Sequence, residues 1–230
     1  LRYAAIGTSK LLAIYYEQQF YDITPLQTAK TSCTYTSTTG SATVTITKAS
    51  HGLTTGDYLI FSAATTPGSP TTSYTSASFT TNVFEVISTP TSSTFTLTMP
   101  TTETGTGVTT GGSLSFQAYV TIGPIAQTTA YGWGTGTWGL STWGTDRPSS
   151  NVTLAPGSWS LDNYGEILIA TVKNGKTYSW DPSVLTPLQT RATVVSGAPT
   201  TSIMTLVSDR DRHLFALGTE TTIGDPTTQD

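Results

Sequence analysis

Tyr21-Asp22-Ile23-Thr24-Pro25-Leu26-Gln27-Thr28 and, far downstream, Trp180-Asp181 with Thr186-Pro187-Leu188-Gln189-Thr190 carry the same text: an aromatic-Asp pair followed by Thr-Pro-Leu-Gln-Thr. Ahead of the second copy, Glu166–Val172 and Lys176–Trp180 flank Lys173-Asn174-Gly175. Asn-Gly is a strong hairpin signal because both residues tolerate positive φ, so this unit is predicted as a hairpin ending in aromatic-Asp. A shorter repeat aligns Arg2–Thr8 with His213–Thr219 position by position. Each copy reads as a short buried strand followed by Gly-Thr opening a turn. Repeated hairpin units with such an ending fit a β-propeller, whose blades pack face on face. The prediction is an all-β chain with a partial propeller, its blade strands in residues 1–30 and 158–230, the last of them truncated.

The text between the repeats is different. Apolar and polar residues alternate in Ala42–Thr47, Asn82–Ser88, Thr94–Thr98 and Ser115–Thr121, the period of half-buried antiparallel strands. Threonine, roughly a fifth of the chain, suits the wet face of such strands because its branched Cβ fits the pleat. Residues 31–118 therefore read as a small β-barrel domain inserted between blade strands, an arrangement that loop-closure entropy penalises little. Pro67–Ser78 and Gly105–Gly112 read as flexible hairpin tips within it. Ser9–Gln19 is the one window that fits a helix, and it fits a strand equally well. Residues 119–157 form an extended arm in which Trp133, Trp138 and Trp143 recur every five residues, each followed by glycine. The indoles fit two roles, contacts that hold the arm on a neighbouring subunit or a platform for stacking sugars or bases.

Composition removes several classes of function. The chain has 230 residues, 36% hydrophobic and 10% charged, with a formal net charge of −4; no basic surface is expected that could neutralise a run of phosphates. No stretch approaches the ~18 consecutive apolar residues of a helical membrane span, and no signal-peptide pattern opens the chain. Cys33 is the sole cysteine, which excludes an internal disulfide and a multi-cysteine zinc site. A first residue Leu rather than Met reads as a processed or fragmentary sequence.

Catalytic constellations fail one by one. His51 and His213 lack a zinc-hydrolase context, and no Walker loop or G-x-S-x-G occurs. Asp209, Asp211 and His213 fit a metal or acid/base cluster less well than a charged turn. Glu17, Asp22, Glu166 and Asp181 are the carboxylates a glycosidase would use. Asp22 and Asp181, however, occupy equivalent repeat positions, where the same structural work, closing a turn, is expected. Asn151-Val152-Thr153 matches a glycosylation acceptor by chance in so threonine-rich a chain. No enzyme activity, cofactor or metal is expected.

His51-Gly52-Leu53-Thr54-Thr55-Gly56-Asp57-Tyr58-Leu59-Ile60-Phe61 resembles the H-G-L-x-x-G-D-x-V-x-F signature of small β-barrel inserts in phage virion proteins, akin to one domain of ubiquitin-activating enzymes, with Leu59 at the Val position. The order of parts runs from Ala5-Ile6-Gly7-Thr8 and Tyr21–Pro25 through the insert and the Gly-Trp-Gly arm to Trp159–Glu166 and Trp180-Asp181. In that order the chain resembles the tail nozzle, or packaged-DNA stabilisation, proteins of short-tailed bacteriophages. The resemblance implies a structural virion protein of the phage tail, a homo-oligomeric ring, sixfold, around the channel through which DNA leaves. It also implies retention of the packaged genome, contacts with adaptor or fibre proteins, non-specific passage of DNA, and no catalysis. The competing expectation is a carbohydrate-binding surface or receptor-binding protein that stacks glycans on Trp133, Trp138 and Trp143.

Overall fold

The computed structural model describes residues 2–65, 73–105, 108–123, 156–183, 188 and 190–220. Among them the chain is all-β apart from one five-residue helix. It divides into two compact units, Leu1–Pro25 with Thr121–Asp230, and Leu26–Val120.

The chain opens with an antiparallel sheet of three strands, β1 (Ala4–Gly7), β2 (Leu12–Tyr16) and β3 (Gln19–Asp22). The ambiguous window Ser9–Gln19 is thus strand. Leu12 and Ile14 are fully buried while Ala13 between them is half-buried and Tyr15 beyond them is exposed, the period of two that a helix could not satisfy. β1 departs from the expected buried strand: it is the sheet's edge and its Ile6 faces out. Its Gly-Thr turn is present, with the Thr8 hydroxyl accepting from the backbone N–H groups of Lys10 and Leu11.

The second unit is a seven-stranded antiparallel sheet of β4 (Lys30–Thr38), β5 (Thr43–Thr47), β6 (Tyr58–Thr65), β7 (Val83–Glu85), β8 (Ser88–Thr91), β9 (Thr94–Thr98) and β10 (Val108–Ala118), in the order β7-β6-β10-β4-β5-β9-β8. The sheet curls, because its two edges are consecutive pieces of one segment. Asn82–Ser88, expected as one strand, breaks at Val86-Ile87: the Val86 N–H donates to Asp57 C=O on one side, and the Ile87 N–H donates to Thr96 C=O on the other. That break lets residues 83–91 pair first with β6 and then with β9, so that the sheet curls into a half-barrel with β7 and β8 as its two edges.

Alternation sorts the side chains. Cys33, Tyr35, Val44, Ile46, Leu59, Phe61, Phe95, Leu97, Leu114 and Phe116 fill the interior, and threonines take the outer face. Thr34 lies opposite Thr47, Thr36 opposite Thr45, Thr45 opposite Thr96 and Thr47 opposite Thr94, an uncharged lattice of methyls and hydroxyls.

Two expected loop tips are more structured than their composition suggests. Ser76–Thr80 is the helix α1, capped reciprocally by Thr75 and Ser78, and its buried Phe79 packs on Tyr35 and Phe61 with ring centroids 5.1 and 5.4 Å away. Five residues are too few to leave a helical period in the sequence. Val108–Gly112 belongs to the long strand β10, which pairs with β4 and β6 and bulges at Gly111-Gly112. Gly112 has φ +72°, and a Cβ there would lie 2.5 Å from the Thr65 carbonyl oxygen, so only glycine fits the bulge.

The remaining strands return to the first unit: β11 (Trp159–Tyr164), β12 (Ile167–Val172), β13 (Thr177–Trp180) and β14 (Thr193–Val194) form one antiparallel sheet, and β15 (Met204–Val207) pairs with β16 (Leu214–Leu217). The predicted β12–β13 hairpin is present; Asn174 alone takes positive φ in its turn. Three sheets are layered here. On one face of β11–β14, the Trp159 ring lies over Gly7, where a Cβ would sit 2.4 Å from it, and the indole N–H donates to Thr8 C=O. Tyr3 meets Trp180 edge-on at 5.1 Å on that same side. The opposite face is polar where β15 packs: the Thr171 hydroxyl bonds those of Thr177 and Thr205, and Ser160 donates to Thr205 C=O. Like β1, β16 is an edge strand with exposed Phe215 and Leu217 rather than the buried strand expected.

Candidate functional site

The H-G-L-x-x-G-D segment is the most specific motif in the chain, and its His51 and Asp57 side chains are spent on the fold. His51 is buried; its Nδ1 accepts the Leu53 N–H at 3.0 Å, which assigns the ring proton to Nε2, 3.0 Å from Thr91 C=O. The imidazole thus staples its own loop to the β8–β9 hairpin, with the Phe95 ring tilted against it at 5.2 Å. Asp57 accepts from the Thr54 N–H at 2.7 Å and hydroxyl at 3.0 Å. Gly56, with φ +85°, turns the chain so that its N–H reaches Val86 C=O. An open cleft of about 420 Å³ borders this loop, lined by Ser50, His51, Gly52, Leu53, Thr89, Thr91 and Ser92. Neither imidazole nitrogen is left over to act as a base there.

The repeated aspartates have one geometry. Asp22 Oδ1 accepts from the Thr24 N–H at 2.9 Å and hydroxyl at 2.5 Å; Asp181 Oδ1 accepts from the Ser183 N–H at 2.8 Å and hydroxyl at 2.7 Å. In both, a carboxylate closes the turn two residues on. Ser183 holds the Asp181 carboxyl below its ordinary range by hydrogen bonding to the charged form. Asp22 has a second partner, Arg191, at 3.1 Å, whose guanidinium also donates to Thr24 C=O. The residues after the second repeat thereby clamp the turn of the first, helped by the Ala192 N–H on Ile23 C=O.

The other candidate acids sit on separate turns, Glu17 in the β2–β3 turn and Glu166 between β11 and β12, whose carbonyl accepts the Tyr3 hydroxyl at 3.0 Å. Burial first, and the Glu166 charge second, push Tyr3 up to about 12. Asp209, Asp211 and His213 lie on the β15–β16 turn, closed by the Ser208 N–H to His213 C=O and the Arg212 N–H to Ser208 C=O. Among the described residues, no group of three or more His, Cys, Asp or Glu side chains is placed to hold a metal ion. Cys33 is buried, which pushes its thiol up. Trp133, Trp138, Trp143 and Asn151 lie outside the described residues.

Sequence reasoning missed one residue of weight. Glu103, 1% exposed, accepts from the Ser37 hydroxyl at 2.9 Å, from both the N–H and hydroxyl of Ser73 at 2.6 Å, and from the Gly105 N–H at 2.9 Å. A lone acid among threonines and glycines carries no pattern; only the folded second unit brings residues 37, 73 and 105 around it.

No protein-family model matches the sequence, and no curated protein matches it. Among solved structures the chain is similar to a phage phi92 endosialidase, with 16% identity and a TM-score of 0.32 over 90% of this chain and 32% of that chain. The chain thus spans about a third of that protein's length, and at this level of likeness neither fold nor activity passes from one to the other.

Proposed function

We propose that this chain is a structural, non-catalytic protein of a phage tail, a nozzle-type ring component through which DNA leaves the virion. The observation that carries the reading is the division of labour among its side chains. The motif residues His51, Asp57, Asp22 and Asp181 make turns, whereas large apolar side chains stand exposed on the outermost sheets of the first unit. A protein built for chemistry leaves polar groups poised in a cleft; one built for assembly leaves apolar faces to be covered. The low charge fits the same role, since a channel that lets DNA slide must avoid the counterion-release affinity of a basic lining.

In this reading residues 1–30 and 158–230 supply blade strands, residues 31–118 an inserted barrel, and residues 119–157 an arm whose Trp133, Trp138 and Trp143 grip a neighbouring subunit. The test is electron microscopy of the native assembly or of the full-length recombinant protein. A closed ring with a central channel is expected; a monomer or a trimeric fibre would overturn the reading. In that event glycan binding through the three tryptophans becomes the function to test.

A further inference from the structure

The cleft beside the H-G-L-x-x-G-D loop lies wholly within the second unit, and not all of its lining is spent on the fold. His51 is engaged with Leu53 and Thr91, and the Thr91 hydroxyl with Thr94 and Ser93. Among the described residues, however, the hydroxyls of Ser50, Thr89 and Ser92 and the N–H and C=O of Gly52 make no hydrogen bond within the chain. Four neighbouring residues thus keep donors and acceptors for something outside the protein.

Local backbone geometry puts those groups there. Ser50 and Gly52 both take left-handed conformations, with φ +51° and +73°, which bends the loop around His51. A Cβ on Gly52 would meet nothing within 4 Å, so this residue opens onto free space. Across the cleft the β8–β9 ladder shifts register between Ser88 and Thr91. Thr89 and Pro90 therefore sit in a bulge, a device that re-aims a side chain, and Thr89 joins the lining. Pro90 also has no N–H to offer along the edge of β8, which disfavours an added peptide strand as the occupant.

The chemistry of the lining selects its ligand. No lining residue carries a carboxylate or an ammonium; Lys30, outside the lining, places its Nζ 3.5 Å from the Ser50 carbonyl oxygen. Serine and threonine hydroxyls donate and accept at once, as do the hydroxyls of a sugar, and Leu53 adds an apolar element for the C–H face of a ring. The volume, about 420 Å³, falls in the range of roughly 300–1,000 Å³ typical of small-ligand clefts.

We propose that this cleft binds one neutral hexopyranose ring, as a free sugar or as the end unit of a glycan. The site holds the ring without cleaving it, because no imidazole nitrogen, carboxylate or thiol is free in the lining. It stands apart from the tryptophan segment and from the ring reading above. With few polar contacts and one side open to water, a Kd on the order of 1 mM is expected.

The test is saturation-transfer difference NMR of the full chain with glucose, galactose, mannose and N-acetylglucosamine, each up to ~20 mM, and with glucuronate for comparison. Gly52→Asn fills the cleft from the loop, since Asn tolerates positive φ; Ser92→Trp fills it from the exposed β8–β9 turn. Circular dichroism and thermal unfolding show whether each variant keeps the wild-type fold, and if Gly52→Asn alters it, Ser92→Trp decides alone. At least one neutral sugar is expected to give a signal that falls at least tenfold in the folded variants. Silence from all four sugars, a signal confined to glucuronate, or a signal that survives in a folded variant would overturn the assignment. None of these outcomes depends on the mass of the assembly, so the ring reading is judged separately.

Discussion

Replacing Glu103 separates a charge from a scaffold of hydrogen bonds. In Glu103→Ala, the Ser73 and Gly105 N–H groups and the Ser37 and Ser73 hydroxyls lose the carboxylate that accepts from them. A stranded buried donor costs about 1–3 kcal/mol, and the hydroxyls can rotate to other acceptors. The two N–H groups then dominate, and the cavity adds to them, giving about 3–5 kcal/mol. Glu103→Gln behaves differently. Its carbonyl oxygen can take the position of Oε1 and keep the three donors there, while the amide nitrogen faces the Ser37 hydroxyl, which can turn to accept. Only the charge assistance is lost, about 1–2 kcal/mol.

The assay is urea unfolding of the full chain. All five tryptophans fall outside residues 26–120, so their fluorescence is not emitted from the second unit, while amide exchange at Ser73 and Gly105 reports that unit directly. Exchange at those two amides should accelerate strongly in E103A and mildly in E103Q, with the tryptophan transition unmoved. Equal effects of the two variants, or an E103A loss under about 0.5 kcal/mol, would refute the claim that Glu103 organises the residue 37, 73 and 105 segments.

Three further expectations follow from geometry. Asp181, held low by Ser183, should titrate below an ordinary aspartate by carbon NMR, and Ser183→Ala should raise it. Because the folded-state value is depressed, the stability it contributes is present above the unfolded value near ~3.9 and is lost as pH falls through the folded one. Tyr3, pushed up to about 12, should appear in an ultraviolet titration as a phenol ionising well after the exposed ones. Its neutral form is the one the fold favours, so that contribution is intact below pH ~10 and lost as pH rises toward the folded value. Gly112→Ala should cost about 2 kcal/mol through its left-handed φ alone, with the clash on Thr65 adding to it; thermal unfolding of the barrel measures the sum, and a neutral outcome would show the bulge to be plastic.

Much of the fold was legible because the side-chain period of a strand is local. T-V-T-I-T at Thr43–Thr47 and T-F-T-L-T at Thr94–Thr98 announce strand, buried face and wet face without any knowledge of their partners. Asn174-Gly175 announced its hairpin in the same local way. The aspartate turns were legible through repetition: two copies of aromatic-Asp at equivalent positions pointed to shared structural work, and both carboxylates accept from a backbone N–H and a hydroxyl two residues on.

What escaped the sequence depends on partners distant along the chain. The strand break at Val86-Ile87 exists because Asp57 and Thr96 approach from opposite sides, and nothing in N-V-F-E-V-I-S marks it. Gly105–Gly112 reads as a flexible tip until β4 and β6 come alongside and turn most of it into a bulged strand. Burial of the repeat strands was overestimated for the same reason. Apolar text in Ala4–Gly7 and Leu214–Leu217 fixes which residues want to leave water, while the number of sheets stacked beside them fixes whether they do. By itself, then, the sequence determined strand identity, facing and turn chemistry, all set within a few residues by backbone sterics and hydrophobic period. Tertiary structure alone decided the curl of the seven-stranded sheet, the Glu103 and Asp22–Arg191 clamps and the exposed end faces, because each requires groups separated by tens of residues to meet in space.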